Sequence, residues 1–164
     1  MGYSTIEDYP YLKLEIDGKA VTLTKFVEYS REPLHGAIID YAFSGNELIK
    51  RTPHESKFMW NVTAAANWEE RKKFLYVTQL ADRKLFQPPY NAYQLTLSDV
   101  YLSIVESAIT RPKADSFEEV GELGDVEYFA KFAVAISLSS IREKPLGDYV
   151  EISFMINELQ KLTA

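Results

Sequence analysis

Cysteine is absent from this chain of 164 residues, and histidine occurs only at His35 and His54. The first absence excludes thiol nucleophiles, thiolate-bound zinc and a disulfide scaffold. The two imidazoles fall in separate Pro- or Gly-containing stretches without HxH or HExxH spacing, which reads as exposed loop histidine rather than a catalytic or metal-binding pair. There is no GxSxG, no glycine-rich phosphate loop and no dinucleotide fingerprint. The sequence therefore assigns no catalytic residue, no cofactor-binding residue and no metal ligand. No run of about 18 apolar residues occurs, and the N-terminus MGYSTIEDYPYL lacks the basic and apolar segments of a secretory signal. The expectation is a virion or cytoplasmic protein with no signal peptide and no membrane segment. Basic side chains are also in deficit, with 18 Lys and Arg against 24 Asp and Glu and a net charge of -6. That balance opposes a phosphate-binding surface, so no direct sequence-specific nucleic acid binding is expected.

What is present is a globular composition, 46% hydrophobic and 26% charged, in a length that suits one domain. The organising stretch runs from Lys57 to Leu85. Phe58, Trp60, Val62 and Ala64 alternate with Met59, Asn61 and Thr63, the period of a strand with one buried face. The strand passes directly into a helix. Asn67 stands at its N-cap, with Glu70 three residues on to close a capping box. Phe74, Val77, Leu80, Ala81 and Leu85 share one face of that helix.

Strand signals flank this unit. Leu12, Leu14 and Ile16 alternate ahead of Asp17-Gly18, a dipeptide suited to a two-residue hairpin turn because both central positions need positive φ. Residues 37–43 and 48–51 read as a second hairpin around Ser44-Gly45-Asn46-Glu47. Between 92 and 109 the apolar parity switches at Asp99, which predicts two strands with a bulge or turn, or one bent strand, with a helix over 98–108 as the competing reading. Residues 111–125 read as a long acidic loop. After it, Val126, Tyr128, Ala130, Phe132, Val134 and Ile136 form the longest strand signal. Val150, Ile152, Phe154 and Ile156 form another, and the two are expected to pair as an antiparallel hairpin. The fold class that emerges is mainly β (α+β): an antiparallel β-sandwich or half-barrel with one principal helix packed on it. It is a single domain over 1–164, with 1–10 as an extended arm.

Candidate contact residues come from exposure and shape. Tyr3, Tyr9, Tyr11 and Tyr90 lie in segments outside the confident strands, where aromatic rings favour protein contact. Ala133, Ala135, Ser137 and Ser139 form a face of small side chains that accepts a close neighbour. Glu118 and Glu119 carry the acidic loop.

The succession of a short N-terminal hairpin with an Asp-Gly turn, a strand of FMWNV type running into a capped helix, a long loop and a closing pair of long strands resembles the tail-tube-like and distal tail (baseplate) proteins of long-tailed bacteriophages and related injection machines. The resemblance implies a non-enzymatic structural protein that joins edge to edge with copies of itself in a ring and touches other tail or baseplate proteins. It carries over no binding residue. The alternative from the strand pattern alone is a monomeric small-ligand-binding or catalytic β-barrel whose inward faces line a cavity.

Overall fold

The computed structural model describes residues 10–33, 38–41, 47–50, 57–85 and 95–159. Strands β1 (Leu12–Ile16) and β2 (Lys19–Leu23) form the expected hairpin. Asp17 and Gly18 both have positive φ, 49° and 75°, as a type I′ turn requires. Strand β3 (Phe26–Pro33) follows, then a separate two-stranded sheet of β4 (Ile38–Tyr41) and β5 (Glu47–Lys50). The second hairpin is thus also present as strands; its connecting residues 42–46 lie outside the described part.

β6 (Phe58–Asn67) runs straight into α1 (Trp68–Leu85). The capping box forms in both directions. Asn67 Oδ1 accepts the Glu70 N–H at 2.8 Å, and Glu70 Oε1 accepts the Asn67 N–H at 3.0 Å. Two of the donors that a helix start leaves without intrahelical partners are satisfied in this way. Glu69 and Glu70 in the first turn and Arg83 and Lys84 in the last complement the helix dipole.

The remaining strands are β7 (Leu95–Asp99), β8 (Ile104–Glu106), β9 (Lys113–Val120), β10 (Val126–Ile136), β11 (Arg142–Leu146) and β12 (Tyr149–Glu158). A 3-10 turn covers Leu138–Ser140. The main sheet runs β2-β1-β7-β10-β12-β6-β3, and all its pairings are antiparallel. This is the expected mainly-β architecture with one helix against it. β10 serves two assemblies: Val126–Ala130 pair with β8 and β9, while Lys131–Ile136 pair with β7 and β12.

Three expectations change. The acidic segment 111–125 is not a loop along its length: Lys113–Val120 is strand β9, and only the tip at 121–125 turns. Its charges hid the strand: Ala114 and Phe117 are the apolar side chains of β9 that pack on the body of the chain, and two residues three positions apart make no period-two alternation. Residues 98–108 contain no helix. Asp99 ends β7, and its Oδ1 accepts the N–H groups of Tyr101 (2.9 Å) and Leu102 (3.2 Å). A carboxylate so placed stabilises a turn at the parity break. Finally, the two long strands β10 and β12 do not make a hairpin. They meet only at Val134–Ile136 opposite Glu158–Ile156. The hairpin partner of β12 is the short polar β11, through Gly147-Asp148 with Gly147 at φ 76°, and its long partner is β6, paired from Tyr149 to Asn157.

The core lies between the inward sheet face and α1. Trp60, Val62, Ala64, Tyr128, Phe132, Ile152, Ile156, Leu12 and Leu14 are buried there, with Phe74 and Val77 of the helix. Leu80 and Ala81 pack at its margin. Thr78 is buried too, its hydroxyl donating to the carbonyls of Phe74 and Leu75 at 3.0 and 3.1 Å, so a polar residue enters the apolar face without an orphaned group. On the opposite sheet face a smaller cluster joins Tyr11, Val100 and Phe129, with Phe117 of β9 against it.

The sheet is strongly curled. β3 and β7 are separated by three strands, which at a spacing of about 4.8 Å would put them roughly 19 Å apart in a flat sheet. Yet the Tyr29 hydroxyl of β3 donates to Asp99 of β7 at 2.5 Å.

Candidate functional site

Two polar centres close the mouth of the curl, and both follow from where the strands end. At the first, Asp99 is fully buried. Its Oδ2 accepts from the Tyr29 hydroxyl, from Trp60 Nε1 at 3.0 Å and from Arg31 Nη1 at 3.1 Å, while Oδ1 holds the turn amides already described. Arg31 also donates to the carbonyls of Leu102 (2.8 Å) and Ser103 (2.6 Å). Tyr29 stacks on Tyr101 with centroids 4.3 Å apart. Burial, then the adjoining Asp99 charge, raises the Tyr29 hydroxyl well above its ordinary value of 10.0. A carboxylate with five donors and no open face is a brace, joining β3, β6 and β7.

At the second centre Arg111 forms a two-point ion pair with Glu158, Nε to Oε2 at 3.1 Å and Nη2 to Oε1 at 3.2 Å. Both residues are buried. Glu158 also accepts the Phe58 N–H at 3.2 Å. The Arg111 N–H donates to the Tyr128 hydroxyl at 3.0 Å, and that hydroxyl donates to Glu106. Glu158 is nevertheless raised above its ordinary 4.5, because desolvation outweighs the Arg111 hydrogen bonds and charge that pull it down. The Tyr128 hydroxyl is raised by burial and by the hydrogen bond to Glu106. Phe58 links the two centres: the guanidiniums of Arg31 and Arg111 lie 5.1 and 5.4 Å from its ring centroid. These charges are desolvated and paired among themselves, which suits them to fixing the curl rather than to moving protons.

The surface offers a different set of features. The outward face of β3, β6 and β12 carries two open depressions, one of about 350 Å³ bordered by Ser30, Asn61, Thr63, Ser140 and Met155, and one of about 380 Å³ bordered by Val27, Ala65, Glu151 and Tyr149. Val27, Tyr149 and Met155 are exposed on it. The hairpin of β9 and β10 ends in the turn 121–125, where Leu123 is 95% exposed and Val120 65%. Glu119 lies directly opposite Glu127 across that hairpin, and Ser103 Oγ donates to Glu127 at 2.5 Å. Glu118 pairs with Lys113 at 3.0 Å. Along α1, Trp68, Lys72, Tyr76, Gln79 and Arg83 are exposed, at spacings that set them in one outward stripe.

Of the contact residues read from sequence, Glu118 and Glu119 are exposed on β9, and Ser137 and Ser139 are exposed at the start of and within the 3-10 turn, their hydroxyls 2.8 Å apart. Ala135 is half-buried. Two change. Ala133 is fully buried and its carbonyl accepts the Leu159 N–H at 2.9 Å, so a small side chain there serves packing within the chain. Tyr11 is buried against Val100 and Phe129 instead of standing free. Tyr3, Tyr9 and Tyr90 lie outside the described residues, as do His35 and His54. Sequence reading placed a bulge or turn at Asp99 but missed its bracing role, and missed Arg111 and Glu158, because these roles arise from strands far apart in the chain; a charged residue at the end of an otherwise apolar alternation, as Glu158 is after Ile156, was the available signal. Among the described residues there is no group of three or more His, Asp or Glu placed to hold a metal ion, and no helix long and apolar enough to cross a membrane. Comparison of the chain with protein-family models, with curated proteins and with solved structures finds no match in any of the three.

Proposed function

We propose that this protein is a non-enzymatic assembly protein whose copies join edge to edge in a ring, as part of a phage tail or phage-derived injection machine and in contact with its other tail or baseplate proteins. The observation that carries the self-assembly reading is β3. This strand of 8 residues pairs with β6 on one side and, among the described residues, with no strand on the other. Such an edge presents a row of main-chain donors and acceptors to another strand. Its ends are guarded by a register shift between Phe26 and Glu28 and by Pro33; both devices discourage pairing where they occur. Among the described residues no strand pairs with the segment between them on the side away from β6. Packing of Trp60, Phe74 and Phe132 into the inward face opposes the alternative of a ligand cavity lined by those strand faces. The assignment to a tail comes from the order of elements in the sequence.

Light scattering on the purified full chain over a wide concentration range, followed by negative-stain electron microscopy, tests the proposal. Rings, or a mass that rises with concentration to a defined multiple of the 18.8 kDa chain, are expected. A particle that stays monomeric at the highest concentration would contradict it.

A further inference from the structure

The described surface is divided in charge. Between residues 113 and 127 the β9–β10 arm carries six carboxylates and one lysine, whereas α1 carries five basic and three acidic side chains. The arm ends in an almost wholly exposed leucine, Leu123, and the outward stripe of α1 exposes two aromatic rings, Trp68 and Tyr76, each 49% accessible. Lys72 and Arg83 lie in that stripe and make no ion pair with any described residue. At the arm, Glu119 faces Glu127 directly across the hairpin, a like-charge placement that opposes the pairing it sits in and that a neighbouring cation relieves. An apolar anchor ringed by carboxylates on one part of the molecule therefore matches, on another, a stripe of two exposed aromatic rings and two cations that make no ion pair among the described residues.

We infer that the tip of the β9–β10 arm of one copy docks on the outward stripe of α1 of a second copy, with Leu123 seated between Trp68 and Tyr76, and Glu119 and Glu122 meeting Lys72 and Arg83. The inference rests on the self-assembly reading and adds to it the surfaces that meet. The contact is heterologous, since arm and helix are different patches of the same chain. Repeating it therefore generates a closed ring or an open helical array, depending on the rotation between neighbours. The aromatic rings supply buried area, and the complementary charges set orientation and rate of encounter.

Charge exchange between mixed variants tests this. One variant carries Glu119→Lys with Glu122→Lys, the other Lys72→Glu with Arg83→Glu. All four positions are exposed, and circular dichroism with thermal melting establishes that both variants fold. Sedimentation velocity is expected to show each variant alone associating at least about tenfold more weakly than the parent, while an equimolar mixture regains association, because each junction between unlike variants joins opposite charges and an array in which the two alternate contains only such junctions. Leu123→Ser supplies an independent arm: it leaves the charges intact and is expected to weaken association by a similar factor. Raised salt is expected to weaken the assembly of the parent chain. Parental association that persists in both charge variants and in Leu123→Ser overturns the docking inference and leaves self-assembly through β3 standing. A parent chain that never associates overturns both.

Discussion

The mouth of the curled sheet and the outer surfaces of arm and helix use the same residue types to different ends. At the mouth each of the charged side chains Arg31, Asp99, Arg111 and Glu158 has a protein partner. On the surface, Glu119 and Glu122 of the arm and Lys72 and Arg83 of α1 have no ion-pair partner among the described residues. Burial explains the contrast. A desolvated charge left unpaired costs several kcal/mol, so charge inside the curl has to be matched for the chain to fold. A solvated charge costs almost nothing unpaired and remains available to another molecule. The mouth is therefore where substitution should cost stability, and the arm and helix are where it should cost association alone.

The largest expected effect is at Asp99. Asp99→Ala leaves the hydroxyl of Tyr29, the indole N–H of Trp60 and two turn amides without their acceptor and the Arg31 guanidinium without its counter-charge, and should lower unfolding free energy by roughly 3–5 kcal/mol in urea titration. A loss below about 1 kcal/mol would mean that the curl does not depend on this brace. Next, Arg111→Leu strands the buried Glu158 carboxylate and should cost about 3 kcal/mol or more, Glu158→Leu leaves Arg111 its longer pair with Glu106 at 3.8 Å and should cost less, and the double substitution should cost less than Arg111→Leu alone. Additive losses would place the pair among ordinary surface ion pairs.

A smaller effect concerns pH. In the folded chain Tyr29 and Tyr128 bind their protons more tightly than in the unfolded chain, because burial and the neighbouring Asp99 and Glu106 disfavour the phenolate. The folded state then holds protons that the unfolded state releases above pH 10.0. Stability should be unaffected by these groups below that value and fall as pH rises past it, by up to about 1.4 kcal/mol per pH unit for each tyrosine. Urea midpoints at pH 9, 10 and 11 measure the fall. Tyr128→Phe should make it shallower, and an unchanged slope would detach that hydroxyl from the effect. Least of all, Glu119→Lys with Glu122→Lys should move the unfolding free energy by no more than about 0.5 kcal/mol. A larger loss would show that the arm contributes to the fold and would blur the contrast between the two regions.

These regions also differ in how far the sequence reveals them. The hairpin at Asp17-Gly18, the capped helix at Asn67 and the apolar alternation of β6, β10 and β12 were legible because each depends on neighbours in the chain: turn φ angles, a cap three residues from its partner, and a period of two. The partners of β12 were not, because sequence adjacency suggested β10 whereas the short polar β11 intervenes as the hairpin mate. β9 escaped detection because its packing side chains, Ala114 and Phe117, make no apolar alternation. The braces were illegible for a related reason: Tyr29, Trp60 and Asp99 span a sequence separation of 70 residues and meet only because the sheet curls. Of the surface features, Glu118 and Glu119 were recognised as exposed carboxylates, but Leu123, Trp68 and Tyr76 gave no sign of lying on the outside.

Zero-length cross-linking of an equimolar mixture of unlabelled and ¹⁵N-labelled full chain reads the contact between copies without any substitution. Mixed-isotope peptides joining Lys72 or the adjacent Lys73 to Glu119 or Glu122 are the expected product. Links confined to single-isotope peptides, in a sample that stays monomeric in solution, would contradict both self-assembly and the docking of the arm on α1.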